Sequence, residues 1–414
     1  MTPEKALNTI LSNTGPTPIM SCSVAEAGGR VLLASVRAPD HLPRFDNAAM
    51  DGFAVRAHDL RSASVKNPAR LHILDEASAG LSTRKKVRSG TAIRISTGAL
   101  LPSGADAVVM QEDCRIHKSH VEVFSSAATG ENIRRKGEEI CRGGIAIAKG
   151  EVLNAGSVAW LASMGVRQVR VHAAPRIGIL RSGDEVVEWN SSPRLDQVRD
   201  THGLFLKLQL ERLGINPLLM PIVADDVRHI QKNFAILLRS SDVVMTTGGV
   251  SVGPHDKLVE IAKRNGMKIL FSKVAQKPGG PFTTGVKDGK LWFGLPGNPF
   301  SVAVCYMLYV RPALMKMMHL PAPRPAWFAA NTKHPLVPPR NKTVFLLGKD
   351  VRGKVLLNPQ KGSHCLGAFA NSNVLVRLEP KTSASKTRRV ACFRLEEVPG
   401  NPIRLPLPAG RRSV

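Results

Sequence analysis

The chain reads as a multidomain α/β plus β protein. It has a central doubly wound α/β domain, a small β domain inserted ahead of it, and a C-terminal β-barrel-like domain. Three observations predict this. Between Arg176 and the Pro-rich stretch PAPRPAW, apolar runs such as IGIL, VVM and KLWFGL alternate with amphipathic segments, the βα period of a parallel sheet. From Val55 to Ile140, and again after PAPRPAW, short alternating runs are broken by turn residues. The length of 414 residues holds two to four such domains. The expected boundaries are 1–45 with 141–175 for an N-terminal α+β domain, 46–140 for the inserted β domain, 176–322 for the α/β domain and 328–414 for the C-terminal β domain.

The first element is a helix in MTPEKALNTILSN, with Pro3 in its first turn and Ala6, Leu7, Ile10 and Leu11 on one face. A strand-like VLLASVRA (Val31–Ala38) follows. In FDNAAMDGFAV (Phe45–Val55), Asp46-Asn47 and Asp51-Gly52 are turn chemistry before a strand. The residues alone favour two tight turns there over a carboxylate presented by Asp51. The inserted domain supplies ARLHILDEA, GTAIRISTGA, DAVVMQED and SHVEVFSSA as strands. Arg134, Arg135, Lys136, Glu138 and Glu139 crowd the next loop, which is either an exposed charged turn or a phosphate-facing one. Asn154 is placed to cap a helix through Val158, Leu161 and Ala162, which Gly165 ends. This helix is expected to pack beside the N-terminal one.

In the α/β domain, IGIL (Ile177–Leu180) is the first strand. The next helix takes Leu204, Leu208 and Leu210–Leu213 as its apolar positions, with Gly214 as stop. The helix in ADDVRHIQKNFAILLRS is entered through Asp225 and Asp226. VVM, KLVEIAKRNG and MKILFSKV continue the alternation, and PFSVAVCYMLYVRPALMKMM is a long closing helix. KTVFLLGKDV, KVLLNPQ, NVLVRLEP and RRVACFRLEE are the strands of the last domain.

Composition limits the function. A hydrophobic content of 43% and a charged content of 22% are ordinary for a globular chain. The longest apolar runs are too short to span a bilayer, and Glu4 stands where a signal peptide is basic, so a cytoplasmic protein without a membrane partner is expected. The six cysteines are far apart, with no C-x-x-C pair and no zinc spacing, which fits reduced thiols. The net charge of +26 is concentrated at the end, where Asn331–Val414 holds sixteen Lys/Arg against four Asp/Glu. Aromatic residues make up only 5%, and no nucleic-acid motif accompanies the charge, so nucleic acid is not the expected partner. A small anion is.

In a doubly wound sheet, ligands bind beyond the carboxyl ends of the strands. The stretches that fall there are Gly183-Asp184-Glu185, Asp225, TTGGVSVGPHD (Thr246–Asp256), Lys277–Pro281 and Pro296–Pro299. A strand, a Gly-rich turn and a helix start make an anion site. Glu185, Asp225 and Asp256 are hard oxygen donors of the kind Mg²⁺ takes. Lys273 and Lys277 are point charges for phosphate. Asp184, Asp225 and Asp226 serve equally well as helix caps and turn formers, and only the convergence of five such loops favours a site.

FDNAAMDGFAV, TTGGVSVGPHD, KPGGPF and GLPGNPFSVAV occur in this order, with RSGDEVV, GEEI and GSHCLGAFANSNVLV between and after them. Together they resemble the molybdopterin molybdenumtransferase family (MoeA; the gephyrin E-domain type) over nearly the whole chain. The resemblance implies an α/β domain similar to molybdopterin adenylyltransferases, and an elongated homodimer formed through the N-terminal domain with its active site between subunits. It implies a place in molybdenum cofactor biosynthesis: Mg²⁺-dependent cleavage of adenylated molybdopterin, with molybdate as the molybdenum source and AMP released. An adenylyltransferase is an implied partner. By matching position, Glu185, Asp225 and Asp256 become metal-side carboxylates, and Lys273 and Lys277 anion-binding lysines. Thr247, Gly248, Gly249, Ser251 and Gly253 become the pterin-phosphate cradle, and Pro296, Gly297, Asn298 and Pro299 the facing loop. Asp51 and Glu139 become residues reaching in from the partner subunit.

The motifs also depart from the family. Its KPGKP reads KPGGP, with Gly280 in the lysine position. GEDI reads GEEI, and D-S/T-N reads Asp200-Thr201-His202. The alternative function is a non-catalytic or weakened molybdopterin-binding paralogue acting as carrier or scaffold. Adenylylation of molybdopterin is a third reading, which the extra β domains and the MDG block oppose.

Overall fold

Thr2 caps the first helix, α1 (Pro3–Ser12), by accepting the N–H of Lys5 at 3.3 Å, and Pro3 occupies a position where no N–H is needed. Ala6, Leu7, Ile10 and Leu11 form its buried stripe, as the 3.6-residue period requires. The structure is a computed structural model and describes residues 1–248, 257–321, 323–360, 362–380 and 387–395. It divides into two units, residues 1–19 with 172–414, and residues 20–171.

The second unit, residues 20–171, is built on strands β1 (Gly52–Val55), β2 (Ala69–Ala77), β3 (Thr91–Ile95), β4 (Ala107–Met110), β5 (Cys114–Ile116) and β6 (His120–Val123). They form one sheet in the order β4-β1-β3-β2-β6-β5, antiparallel except for β2 with β3. Alternate residues serve opposite faces: Phe53, Val55, Val109 and Val121 enter one cluster, and Ala54, Ile93, Ile95 and Val108 another. Of VLLASVRA, only Val36–Arg37 pairs as a strand, with Ile145–Ile147, while Val31 and Leu32 make isolated bridges. Helix α2 (Ala155–Ser163) starts where Asn154 Oδ1 accepts the N–H of Ser157 at 2.9 Å. Its Leu161 packs with Cys22, Leu32, Val169 and Val171.

The expected pairing of α1 with α2 is replaced by a different arrangement. The stripe of α1 belongs to the main core of the first unit, and α2 fills the core of the second. Periodicity shows that a face is buried but not which partner buries it.

The first unit holds the expected α/β sheet. Its strands are β7 (Ile177–Arg181), β8 (Leu218–Leu219), β9 (Val243–Thr247), β10 (Lys268–Phe271), β12 (Thr283–Lys287) and β13 (Lys290–Leu295), with the short β11 (Gln276–Lys277) between β10 and β12. The order is β8-β7-β9-β13-β12-β10. The first four are parallel, and β12 runs antiparallel to both neighbours. Polar Thr283 and Thr284 and a central Gly285 hide β12 from a hydrophobic reading. Both threonines are fully buried, and Thr284 donates its hydroxyl to the Trp292 carbonyl at 2.8 Å.

Both faces of this sheet are covered, which is why its strands read as continuous apolar runs. Helices α4 (Val227–Ser240) and α5 (Lys257–Arg264) pack on Leu180, Val244 and Trp292. On the other face, Ile177, Ile179, Val243, Met245 and Phe293 meet α1, α3 (His202–Glu211) and the closing helix. On α3 the buried residues are Gly203, Leu206 and Leu210, whereas Leu204 and Leu208 are exposed, contrary to the expected face. Leucines stand all round this helix, so sequence spacing does not select its inner side. The closing helix is α6 (Pro299–Cys305), a π-helical turn Tyr306–Val310, and α7 (Arg311–Met317). Pro312 has no N–H to return to the preceding turn, and the π-turn absorbs that break.

The C-terminal strands are β14 (Phe328–Leu336), β15 (Thr343–Val351), β16 (Lys354–Leu357), β17 (Val374–Leu378) and β18 (Thr387–Arg394). They close as β15-β16-β14-β18-β17 back to β15, the barrel-like domain expected. Strand β14 carries little sequence signal, because Pro-rich residues precede it and Pro335 interrupts its pattern. Among the described residues no helix is long and apolar enough to cross a membrane. All six cysteines are free.

Because Ile10 is fully buried in the main core of the first unit, Ile10→Ala should lower unfolding stability by about 2–5 kcal/mol. Urea unfolding followed by the fluorescence of the buried Trp292 measures it. A loss below about 0.5 kcal/mol means that α1 is peripheral.

Candidate functional site

The carboxyl edge of the α/β sheet is where its loops converge. After β7, Ser182 N–H donates to the Thr247 carbonyl at 3.2 Å, and the Gly183 N–H donates to Val223 at 3.2 Å. These bonds lay the Ser182–Glu185 turn between the end of β9 and the Val223–Asp225 turn. Gly248 follows β9 with φ +86°, and a Cβ there would stand 2.3 Å from the Ser182 carbonyl oxygen. Only glycine allows this approach.

The two readings of the acids separate here. Asp226 is the cap of α4, its Oδ1 accepting the His229 N–H at 2.9 Å. Asp184 takes the turn role and accepts the Asp225 N–H at 3.0 Å. Asp225 does neither. Its Oδ1 is buried without a hydrogen-bond partner among the described residues. Burial, then the neighbouring Asp184 and Glu185, push its pKa up, and Lys257 and a hydrogen bond with the Ser182 side chain only partly offset them. Glu185 is exposed beside it.

Glu185, Gly248, Lys277, Pro296, Gly297 and Asn298 line one open cleft of about 610 Å³, together with Gly280, Lys342, Ser301 and Ser363. Lys277 reaches this wall through β11, which pairs in parallel with the start of β15, Gln276 with Thr343 and Lys277 with Val344. The same pairing delivers Lys342 from the barrel. Buried Gln276 donates to the Pro278 carbonyl at 3.0 Å, and its Oε1 accepts the Tyr309 hydroxyl. Gly279, at φ +81°, has Cys305 Sγ 2.7 Å from where a Cβ would stand. Gly280 has no such backbone constraint, but a Cβ there would lie 3.0 Å from the Gln276 carbonyl oxygen.

The other expected residues are placed as follows. Thr247 is buried at the end of β9, and Pro299 opens α6. Lys273 is exposed after β10 and does not line the cleft. Gly249, Ser251, Gly253 and Asp256 lie outside the described residues. Asp51 and Glu139 are exposed in the second unit. Asp51 Oδ1 accepts both the N–H and the hydroxyl of Thr97, at 2.6 and 2.9 Å, which hold its pKa below the usual carboxylate value. In the basic loop, Arg135 is paired with Asp46 at 2.9 Å.

Arg181 does not supply cleft charge. Its guanidinium is 4% exposed and paired with Asp200 and Glu188, each at 2.9 Å, and it also donates to the Met220 carbonyl at 2.7 Å. Asp200 in turn accepts the N–H groups of His202 and Gly203, both at 3.0 Å, and so starts α3. Burial lowers the pKa of His202, and its Nε2 has no partner. Gln276, Lys342, Ser301 and Ser363 were missed by sequence reasoning. Lys342 carries no local signal, since only strand pairing brings it to the wall.

Comparison with known proteins gives a consistent picture. Residues 1–165 match the family model described as MoeA N-terminal region (domain I and II), and residues 178–316 match the one described as "Probable molybdopterin binding domain". The chain is similar to the molybdopterin molybdenumtransferase of Staphylococcus epidermidis, 36% identical over 76% of this chain and 75% of that protein. It is 32% identical to that of Haemophilus influenzae, over 91% and 95% of the two chains. Its fold is similar to that of the molybdopterin biosynthesis moeA protein of Pyrococcus horikoshii OT3. The TM-score there is 0.73 at 27% identity, covering 95% of this chain and 99% of that one.

A carboxyl whose folded pKa is raised stabilises the fold most when protonated, and that contribution is lost as pH rises through the raised value. At pH 7 the Asp225 carboxylate is thus a net cost, and Asp225→Asn should raise the melting temperature. The gain should vanish in acid below the ordinary carboxylate range. A lower melting temperature at pH 7 contradicts the assignment of Asp225 as the unsatisfied acid.

Proposed function

The chain belongs to the MoeA family of molybdopterin molybdenumtransferases, and we propose that it acts in molybdenum cofactor biosynthesis by moving molybdenum from molybdate into adenylated molybdopterin, with AMP released. The observation that carries this reading is the single cleft walled by Glu185, Gly248, Lys277 and the Pro296–Asn298 turn at the carboxyl edge of the sheet. Two lysines and a glycine turn suit a substrate with phosphate charge.

The donor set beside the cleft fits Mg²⁺. Asp225 offers a buried, unsatisfied carboxylate oxygen next to exposed Glu185, and Asp256 is the third acid assigned by resemblance. Such an ion, when bound, neutralises phosphate oxygens. Lys277 holds the anionic end of the substrate against the wall. Lys342 faces the same space and replaces charge missing at Gly280. Lys273 keeps its assignment as a second anion-binding lysine by resemblance alone. Gly248 lines one side of the cleft with Pro296, Gly297 and Asn298, and Thr247, Gly249, Ser251, Gly253 and Pro299 keep their substrate-binding assignment by resemblance. Asp51 and Glu139 act from the partner subunit of a homodimer, so each site is completed by a second copy. The four-domain division, the adenylyltransferase partner and the cytoplasmic location complete this reading.

Gly280 also supports a second reading, binding without turnover. The two separate in one assay. Purified protein with adenylated molybdopterin, Mg²⁺ and molybdate should release AMP, and Lys277→Ala should lower kcat/KM by roughly ten- to hundredfold, as loss of a hydrogen bond to a charged group does. Tight substrate binding with no AMP release supports the carrier.

If Lys342 replaces the absent lysine, Lys342→Ala should weaken the substrate by about tenfold, and Gly280→Lys in that background should restore part of the loss. An unchanged KM in Lys342→Ala removes Lys342 from the site.

A further inference from the structure

The hairpin formed by β5 and β6 carries a group of side chains that the cleft chemistry does not use. His117 and His120 stand opposite each other where the hairpin turns through Lys118 and Ser119, and the His117 N–H donates to the His120 carbonyl at 2.8 Å. Glu122 is two residues along β6 from His120, so both side chains leave the same face of the sheet. Their rings and carboxylate converge. One ligand atom from each of the three lies within 4.8 Å of the other two, the only such cluster among the described residues. The imidazoles stack with centroids 4.4 Å apart and planes 9° from parallel, so one ring turns about its side-chain bonds when both nitrogens address a shared ion.

We propose that His117, His120 and Glu122 form a binding site for a divalent transition metal of the zinc class. Nε2 of His117 lies 3.3 Å from Oε2 of Glu122, yet this buried nitrogen makes no hydrogen bond. A plain ion pair would aim the N–H at the carboxylate. Two tetrahedral ligands, each about 2.0–2.1 Å from zinc, are about 3.3 Å apart, the spacing of this His117–Glu122 pair, and the third ligand atom falls within 4.8 Å of both. Two imidazoles with one carboxylate suit zinc, cobalt, nickel or copper, whereas Mg²⁺ and Ca²⁺ take oxygen donors. This site is therefore chemically distinct from the acids at Glu185 and Asp225.

The surrounding charges identify a competitor. An Arg70 NH group lies 3.2 Å from His120 Nδ1. Arginine only donates, so Nδ1 presents its lone pair to Arg70. Arg70 also stands opposite Glu122 across β2 and β6. A bound metal displaces this guanidinium from Nδ1 or shares the face with it, and either way Arg70 opposes binding. Arg115, opposite Glu122 on β5, is turned over the ring of Phe124. His72 lies opposite His120 on β2 and continues the histidine row across a third strand. A metal here would clamp the end of the hairpin.

The test uses the full chain after chelator treatment, titrated with Zn²⁺ by calorimetry and with Co²⁺ by visible absorption. One equivalent is expected at this site. His117→Ala, His120→Ala and Glu122→Gln should each weaken it on the order of tenfold or more, and Arg70→Ala should tighten it several-fold. Bound Co²⁺ should show tetrahedral d–d bands without a thiolate charge-transfer band. The four side chains lie at the end of the hairpin and are partly or fully exposed, and unchanged melting of the metal-free variants confirms their fold. The proposal is overturned by no uptake, by uptake equal in wild type and all three ligand variants, or by a thiolate band.

Discussion

Lys277 is held by a two-residue strand that belongs to two structures at once. Gln276 and Lys277 hydrogen-bond to the first residues of the barrel strand β15, while the chain on either side serves the α/β sheet. The Gln276 side chain then braces the turn that follows, through the Pro278 carbonyl and the Tyr309 hydroxyl. The cleft depends on this junction. It sets where Lys277 stands, brings Lys342 to the same wall, and lets Gly279 turn against Cys305. A displacement of about an ångström here would separate the two lysines from Glu185, and binding geometry tolerates little of that.

The charge distribution follows the same division between structural and available groups. In a chain of net charge +26, the 58 Lys and Arg outnumber the 32 Asp and Glu, so an acid without a structural partner stands out. Arg181 and Asp200 form a buried pair that anchors the start of α3, and removing one partner of such a pair leaves an uncompensated buried charge. Asp184 and Asp226 are occupied by backbone N–H groups. Among the described residues, what remains at the sheet edge is Asp225, with a buried oxygen unsatisfied, and Glu185, exposed to the cleft. Unsatisfied polar groups are a cost to folding and mark places where a ligand completes the structure.

Much of the architecture was legible because local rules and tertiary structure agree. Pro3, Asn154 and Gly248 each do what their residue types dictate, and the apolar runs of β7, β9 and β13 announce a sheet covered on both faces. The losses have physical causes. Buried threonines disguise β12. Leucines surrounding α3 conceal its inner side. Asp225 and Asp226 are adjacent and chemically identical, and only the cap geometry assigns one to the helix and leaves an oxygen of the other unsatisfied. Gln276 and Lys342 enter the site through strand pairing between residues about 67 apart in sequence, which no local pattern encodes. The histidine cluster was likewise hidden, because its three ligands are neighbours only once the hairpin register is known.

The most direct measurement is the fate of molybdenum itself. Purified protein is incubated with isotopically labelled molybdate, adenylated molybdopterin and Mg²⁺, and the pterin is then separated and analysed for metal. Labelled molybdenum is expected on the pterin in step with the AMP set free. Pterin that remains adenylated and free of molybdenum, under conditions where a relative from the same family completes the transfer, would contradict it.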